Sequence, residues 1–201
     1  MMAAPIPASI APARRAAFDI LRKVIRDRGN SDTLLHSIRV NQLSQQDRNL
    51  CTTLVLGTLR WQRVLDAECR RFLARPDLTL VEDALLALRV GAYQLLFLDR
   101  IPAHAAIFES VEWVKHSEAA RQAGLVNAVL RKVAVQPKRR NFTAELAYPE
   151  WMIARWQKFY GAEACRNICE QGQTEPQTAV RLLTVDAERS EEPRLNSSHR
   201  R

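Results

Sequence analysis

Residues 95–133, LLFLDRIPAHAAIFESVEWVKHSEAARQAGLVNAVLRKV, decide how the rest of the chain is read. Ile101-Pro102 interrupts the apolar run before it. A proline sits well in the first turn of a helix, where its missing N–H has no partner to lose. The spacing therefore predicts a helix from Ala103 to about His116. A further helix is predicted over Ala119–Val133, with Leu125, Val126, Val129 and Leu130 facing inward.

Working back from this stretch, Thr79-x-x-Glu82 reads as a capping box that opens a long helix through Leu85, Leu88, Tyr93 and Leu96 to Leu98. That helix is apolar on most sides, so it is the expected centre of a bundle. Ser44 followed by Asp47 marks another helix start, after which Leu50, Leu54, Gly57 and Trp61 share one face. Glycine inside a helix costs about 1 kcal/mol relative to alanine, so Gly57 implies a close helix–helix contact. Val64, Leu65, Phe72 and Leu73 continue the pattern until Pro76, and Trp61 is expected to anchor the core, with stacking on a base as the alternative. The first helix spans Ala13 to Arg28 with an apolar stripe of Ala16, Ala17, Ile20, Leu21 and Val24. Gly29-Asn30 stops it, and Ser31 or Asp32 can cap a short helix through Leu34, Leu35 and Ile38.

Downstream, Pro137 and Lys138-Arg139-Arg140 mark a boundary. Pro149 can begin a helix carrying Trp151, Trp156 and Tyr160 up to Gly161, with a second from Ala162 to Gln171. Thr178–Thr184, apolar and β-branched, reads as a single strand that needs a sheet to be stable.

The 201 residues are 47% hydrophobic with only six glycines, which favours a folded, mostly helical chain. Residues 11–140 carry 22 Lys and Arg against 13 Asp and Glu, whereas the remainder holds 8 against 9. The whole basic excess sits in the first two thirds, as expected of a polyanion-binding surface. Cys51, Cys69, Cys165 and Cys169 are too sparse for a disulfide scaffold, and His36, His104 and His116 complete no metal-ligand spacing, so neither metal nor disulfide is expected. No apolar run reaches the roughly 20 residues of a membrane span. The opening MMAAPIPASIAPARR is a poor secretory signal, and a reducing cytoplasm is expected.

Several landmarks together resemble the NusB-like domain of the RsmB (Sun) family of 16S rRNA cytosine-5 methyltransferases. They are Leu56-Gly57-Thr58-Leu59-Arg60-Trp61, Gln94-Leu95-Leu96, Ile101-Pro102, His104-Ala105-Ala106, Glu109, Val111, Lys115 and Val126–Arg131. Tyr148-Pro149-Glu150-Trp151, Arg155-Trp156 and Tyr160-Gly161 resemble that family's linker into its methyltransferase. The resemblance implies an all-α, NusB-like RNA-binding bundle over 12–137, after a disordered tail at 1–11. It further implies a basic linker at 138–147 and the start of a truncated methyltransferase-side region at 148–186, with two helices and an orphan β-strand. Residues 189–199 resemble translated adaptor DNA, so 187–201 is expected to be a non-native tail.

The same resemblance places RNA on the first helix, at Arg14, Arg15, Arg22, Lys23 and Arg26. Guanidinium groups there can fork to phosphate or stack on unpaired bases. The plainer alternative is a solvated face held by Arg15–Asp19 and Asp19–Lys23 pairs. Gly57, Pro102, His104, Asn127 and Arg131 are expected to be structural, with His104, Asn127 and Arg131 satisfying hydrogen bonds. No catalytic residue is expected: the glycines are scattered and no Pro-Cys or Thr-Cys dipeptide is present. S-adenosylmethionine would belong to the full-length parent. The expected partners are 16S rRNA and the parent's own methyltransferase domain. The rival readings are a stand-alone antitermination factor of the NusB kind and a helical protein-interaction module without RNA.

Overall fold

One helix lies at the centre of five others, and its sequence explains why. The computed structural model describes residues 9–75, 78–136 and 142–174. Within them α6 (Glu82–Phe97) has every residue from 86 to 96 buried. An all-round apolar helix cannot lie on a surface, so α6 forms the axis. Around it pack α1 (Pro12–Arg26), α4 (Gln45–Arg60), α5 (Gln62–Arg70), α7 (Ala103–Lys115) and α8 (Ala123–Ala134). The short α2 (Ser31–Leu35) and α3 (Ile38–Asn41) link α1 to α4.

Packing is close where sequence reading asked for it. A Cβ on Gly57 would fall inside the Tyr93 ring, so α4 approaches α6 only because position 57 has no side chain. Phe18 of α1 stacks on Trp113 of α7 with centroids 4.5 Å apart. Burying such a side chain completely contributes about 1.5–3 kcal/mol. Trp61 is half-buried against Phe97 at 5.0 Å, and Phe97 stacks on Phe142 at 5.7 Å. That aromatic row ties the segment after the bundle back onto it.

The helix ends depart from sequence expectation. At Ser44 the hydroxyl accepts from the Asp47 N–H at 3.1 Å and donates to the Asp47 carboxylate at 2.8 Å, a genuine cap. Thr79 caps nothing. Val81 holds the N-cap of α6, and its N–H donates to the Gln122 side-chain carbonyl at 3.0 Å, a partner 41 residues away. Asn30, not Ser31 or Asp32, caps α2, accepting from the Thr33 N–H at 3.0 Å. Ile38 starts a separate helix and is 78% exposed. The last bundle helix begins with a 3-10 turn, Ala120–Gln122.

Beyond the bundle, a 3-10 turn (Ala144–Ala147) lies against α5 and leads into α9 (Glu150–Gln173). Gly161 has φ 82° and ψ 166°, a left-handed conformation that suits glycine, and there the chain reverses. The Cys165 thiol reaches the Ile153 carbonyl at 3.9 Å, which no straight helix permits over 12 residues. The two predicted helices on either side of Gly161 are thus an antiparallel pair, with Cys165 and Cys169 buried. Among the described residues there is no strand. The strand expected at 178–184, the tail at 187–201, Pro76, Pro137 and the 138–140 basic cluster fall outside them.

Candidate nucleic-acid interface

The cations of α1 divide between two faces. Arg14, Arg22 and Arg26 are spaced by eight and four residues; Arg14 and Arg22 turn toward the protein, and Arg26 lies exposed at its edge. Arg14 is only 6% exposed; its Nε donates to the Gln94 Oε1 at 2.6 Å and its Nη1 to the Glu109 Oε1 at 3.0 Å. Glu109 also accepts from the Ala11 N–H at 2.8 Å. Arg22 pairs at 3.3 Å with Asp83, whose side chain is wholly buried at the start of α6. Arg26 reaches Glu82 at 3.1 Å, Glu118 at 3.3 Å and Asp83 at 3.4 Å. These three guanidinium groups, expected to meet RNA, are occupied in joining α1 to α6, α7 and the loop before α8. The reason is tertiary: their carboxylate partners lie 56 to 95 residues away.

Arg15, Asp19 and Lys23 follow one another at four-residue spacing on the other face. They line a groove of about 700 Å³ between α1 and the α2–α3 turn. Its floor is apolar, from Ala16, Ile20, Leu34, Val40 and Leu43, and Arg39 stands on the opposite wall. The helix pairs Arg15–Asp19 and Asp19–Lys23 do not form. Asp19 makes no hydrogen bond or direct ion pair among the described residues. Burial pushes its carboxyl above the ordinary value, against the opposing pull of Arg39, Lys23, Arg22 and Arg15. Arg39 was missed by sequence reading because it gains its place only when α3 folds across α1.

The residues expected to be structural separate as well. Gly57 has its close contact, and Pro102 occupies the N-cap of α7 with φ −62°. His104, Asn127 and Arg131 come together, along one groove of about 640 Å³ between α7 and α8. They are not the buried, satisfied groups that were expected. His104 and Arg131 are exposed, Asn127 is half-buried, and none makes a hydrogen bond among the described residues.

Burial raises Cys51 to about 11 and Cys69 to about 12, far from a reactive thiolate. Gly57 and Gly91 are filled by neighbouring side chains. No described helix is long and apolar enough to cross a membrane.

The fold and this face together define an all-helical module built on one buried helix, with a basic outer groove. A sequence model of the NusB family matches residues 11–135, and the chain belongs to that family. It is 34% identical over 188 residues to the probable ribosomal RNA small subunit methyltransferase B of Bacillus subtilis (strain 168), covering 89% of this chain and 42% of that protein. It is 35% identical over 150 residues to the ribosomal RNA small subunit methyltransferase B of Thermus thermophilus, covering 74% and 36%. The chain spans about two fifths of the length of these curated relatives. Among solved structures, antitermination factors NusB and NusE in complex with dsRNA give a TM-score of 0.51 at 24% identity, covering 61% of this chain and 93% of the matched one. A plectonemic RNA supercoil structure gives 0.52 at 22%, covering 61% and 91%. At that identity the likeness is one of fold.

Proposed function

We propose that this chain is the RNA-binding part of a small-subunit rRNA cytosine-5 methyltransferase, holding 16S rRNA through Arg15, Lys23 and Arg39. The observation that carries the reading is the second face of α1. Three cations surround an apolar groove there, and none of their charge is neutralised by a direct ion pair with Asp19. Phosphate contacts of this kind position RNA without reading its sequence. The relatives' role as ribosomal RNA methyltransferases supports rRNA as the polyanion, and their similarity continues past residue 135, which an antitermination factor ending with the bundle would not need. Methyl transfer, with S-adenosylmethionine as donor, belongs to the remainder of the parent protein. Arg14, Arg22 and Arg26 serve the fold.

The test is binding to 16S rRNA fragments over a salt series. Affinity should fall steadily with ionic strength, because each phosphate contact releases counterions. Reversing Arg15, Lys23 and Arg39 together to Glu should abolish most of that dependence. Binding that ignores salt, or survives the triple reversal, refutes the assignment and favours a protein-interaction module.

A further inference from the structure

We propose that the groove between α1 and α3 is a pocket for one unpaired guanine of the bound RNA, read by the Asp19 carboxylate. This rests on the RNA reading above and gives the same face a base preference. The groove's volume of about 700 Å³ accommodates a nucleotide. Its walls, Ala16, Ile20, Leu34, Ile38 and Val40, offer apolar surface to a flat base. Its rim carries Arg15, Lys23 and Arg39, so the phosphates flanking an extruded base would meet cations.

Asp19 is what gives the pocket a preference. A carboxylate has two acceptor oxygens and no donor. Guanine alone among the four bases presents two adjacent donors, N1–H and the 2-amino group, on its pairing edge. These match the two oxygens in parallel. Adenine and cytosine offer one amino group beside an acceptor, and uracil offers one N–H between two carbonyls. In the structure both Asp19 oxygens lack hydrogen-bond partners among the described residues while four cations surround them without contact. Partial burial already disfavours the charge, and incoming donors would offset part of that cost.

The experiment measures fluorescence anisotropy of the whole chain with single-stranded RNA octamers. One is all uridine, one carries a single central guanosine, and one carries inosine there, which lacks the 2-amino group. Guanosine should bind about tenfold tighter than uridine, with inosine between them, as a bidentate base contact implies. Asp19→Asn, which keeps the shape but replaces one acceptor with a donor, should erase the guanosine preference and keep salt-dependent binding to the uridine octamer. Circular dichroism reports whether that variant folds, and the inosine series on the wild-type chain stands without it. Equal affinity for all three octamers overturns the guanine pocket alone. An unchanged preference in Asp19→Asn overturns Asp19 as its reader. Failure to bind any octamer at low salt overturns both this inference and the RNA reading beneath it.

Discussion

The inner and outer faces of α1 carry the same kinds of residue and do opposite work. On the inner face Arg14 meets Glu109 in the middle of α7, and Arg22 and Arg26 meet Asp83 and Glu82 at the start of α6. On the outer face Arg15 and Lys23 flank Asp19, yet no direct ion pair forms with it. A buried charge without a partner is costly, so the inner cations are committed to the fold. An outward cation near a screened carboxylate loses little by turning to phosphate. Helix position, not residue type, thus separates the cations that join helices from those that line the groove.

Breaking the inner face should produce the largest effect. Arg14→Ala leaves Glu109 and Gln94 buried without their cation, and should cost about 3–5 kcal/mol, read as a lowered urea midpoint. A loss below about 1 kcal/mol, the range of exposed pairs, would show that the inner and outer faces are energetically alike. Gly57→Ala comes next. Its Cβ must displace the Tyr93 ring, and overpacking of this kind costs about 1–3 kcal/mol by thermal unfolding.

The outer face should respond in the reverse sense. Replacing the exposed Lys23 and Arg39 with Glu should change stability by only about 0.5 kcal/mol per site, and the half-buried Arg15 by more. The logarithmic salt slope of RNA binding should fall by about 2–3, near one phosphate per cation. Asp19 gives the smallest and most diagnostic effect. Its carboxyl is raised, so the folded state holds the proton more tightly than the unfolded chain does. Wild-type stability therefore declines as pH climbs through the folded pKa, while Asn at that position does not titrate. Asp19→Asn should be more stable than wild type at pH 7, and its advantage should vanish below the ordinary Asp pKa of about 3.9. An advantage that is constant with pH would mean that the charge at position 19 carries no folding penalty.

Much of the fold is visible in the chain itself. Helix periodicity located α1, α4, α6, α7 and α8, the all-round apolar pattern of α6 made it the axis, and Gly57 announced a tight crossing. Gly161 was correctly read as the break between two helices, though not as a reversal. These features are local, because period, proline and glycine act within a few residues of themselves. Cap identities were less visible, since Val81 draws its partner from Gln122 rather than from Thr79.

The candidate site was legible only in part. Sequence established that the basic excess lies in the bundle and that α1 is rich in arginine. Which arginines face outward was decided by Asp83, Glu109, Gln94 and Glu118, whose approach to α1 is a matter of topology. The same holds for Arg39, brought across from α3, and for Asp19, which makes no hydrogen bond or direct ion pair among the described residues. Periodicity fixes which residues share a helix face; only the packed bundle fixes what that face meets, because an ion pair depends on distance in space and not along the chain.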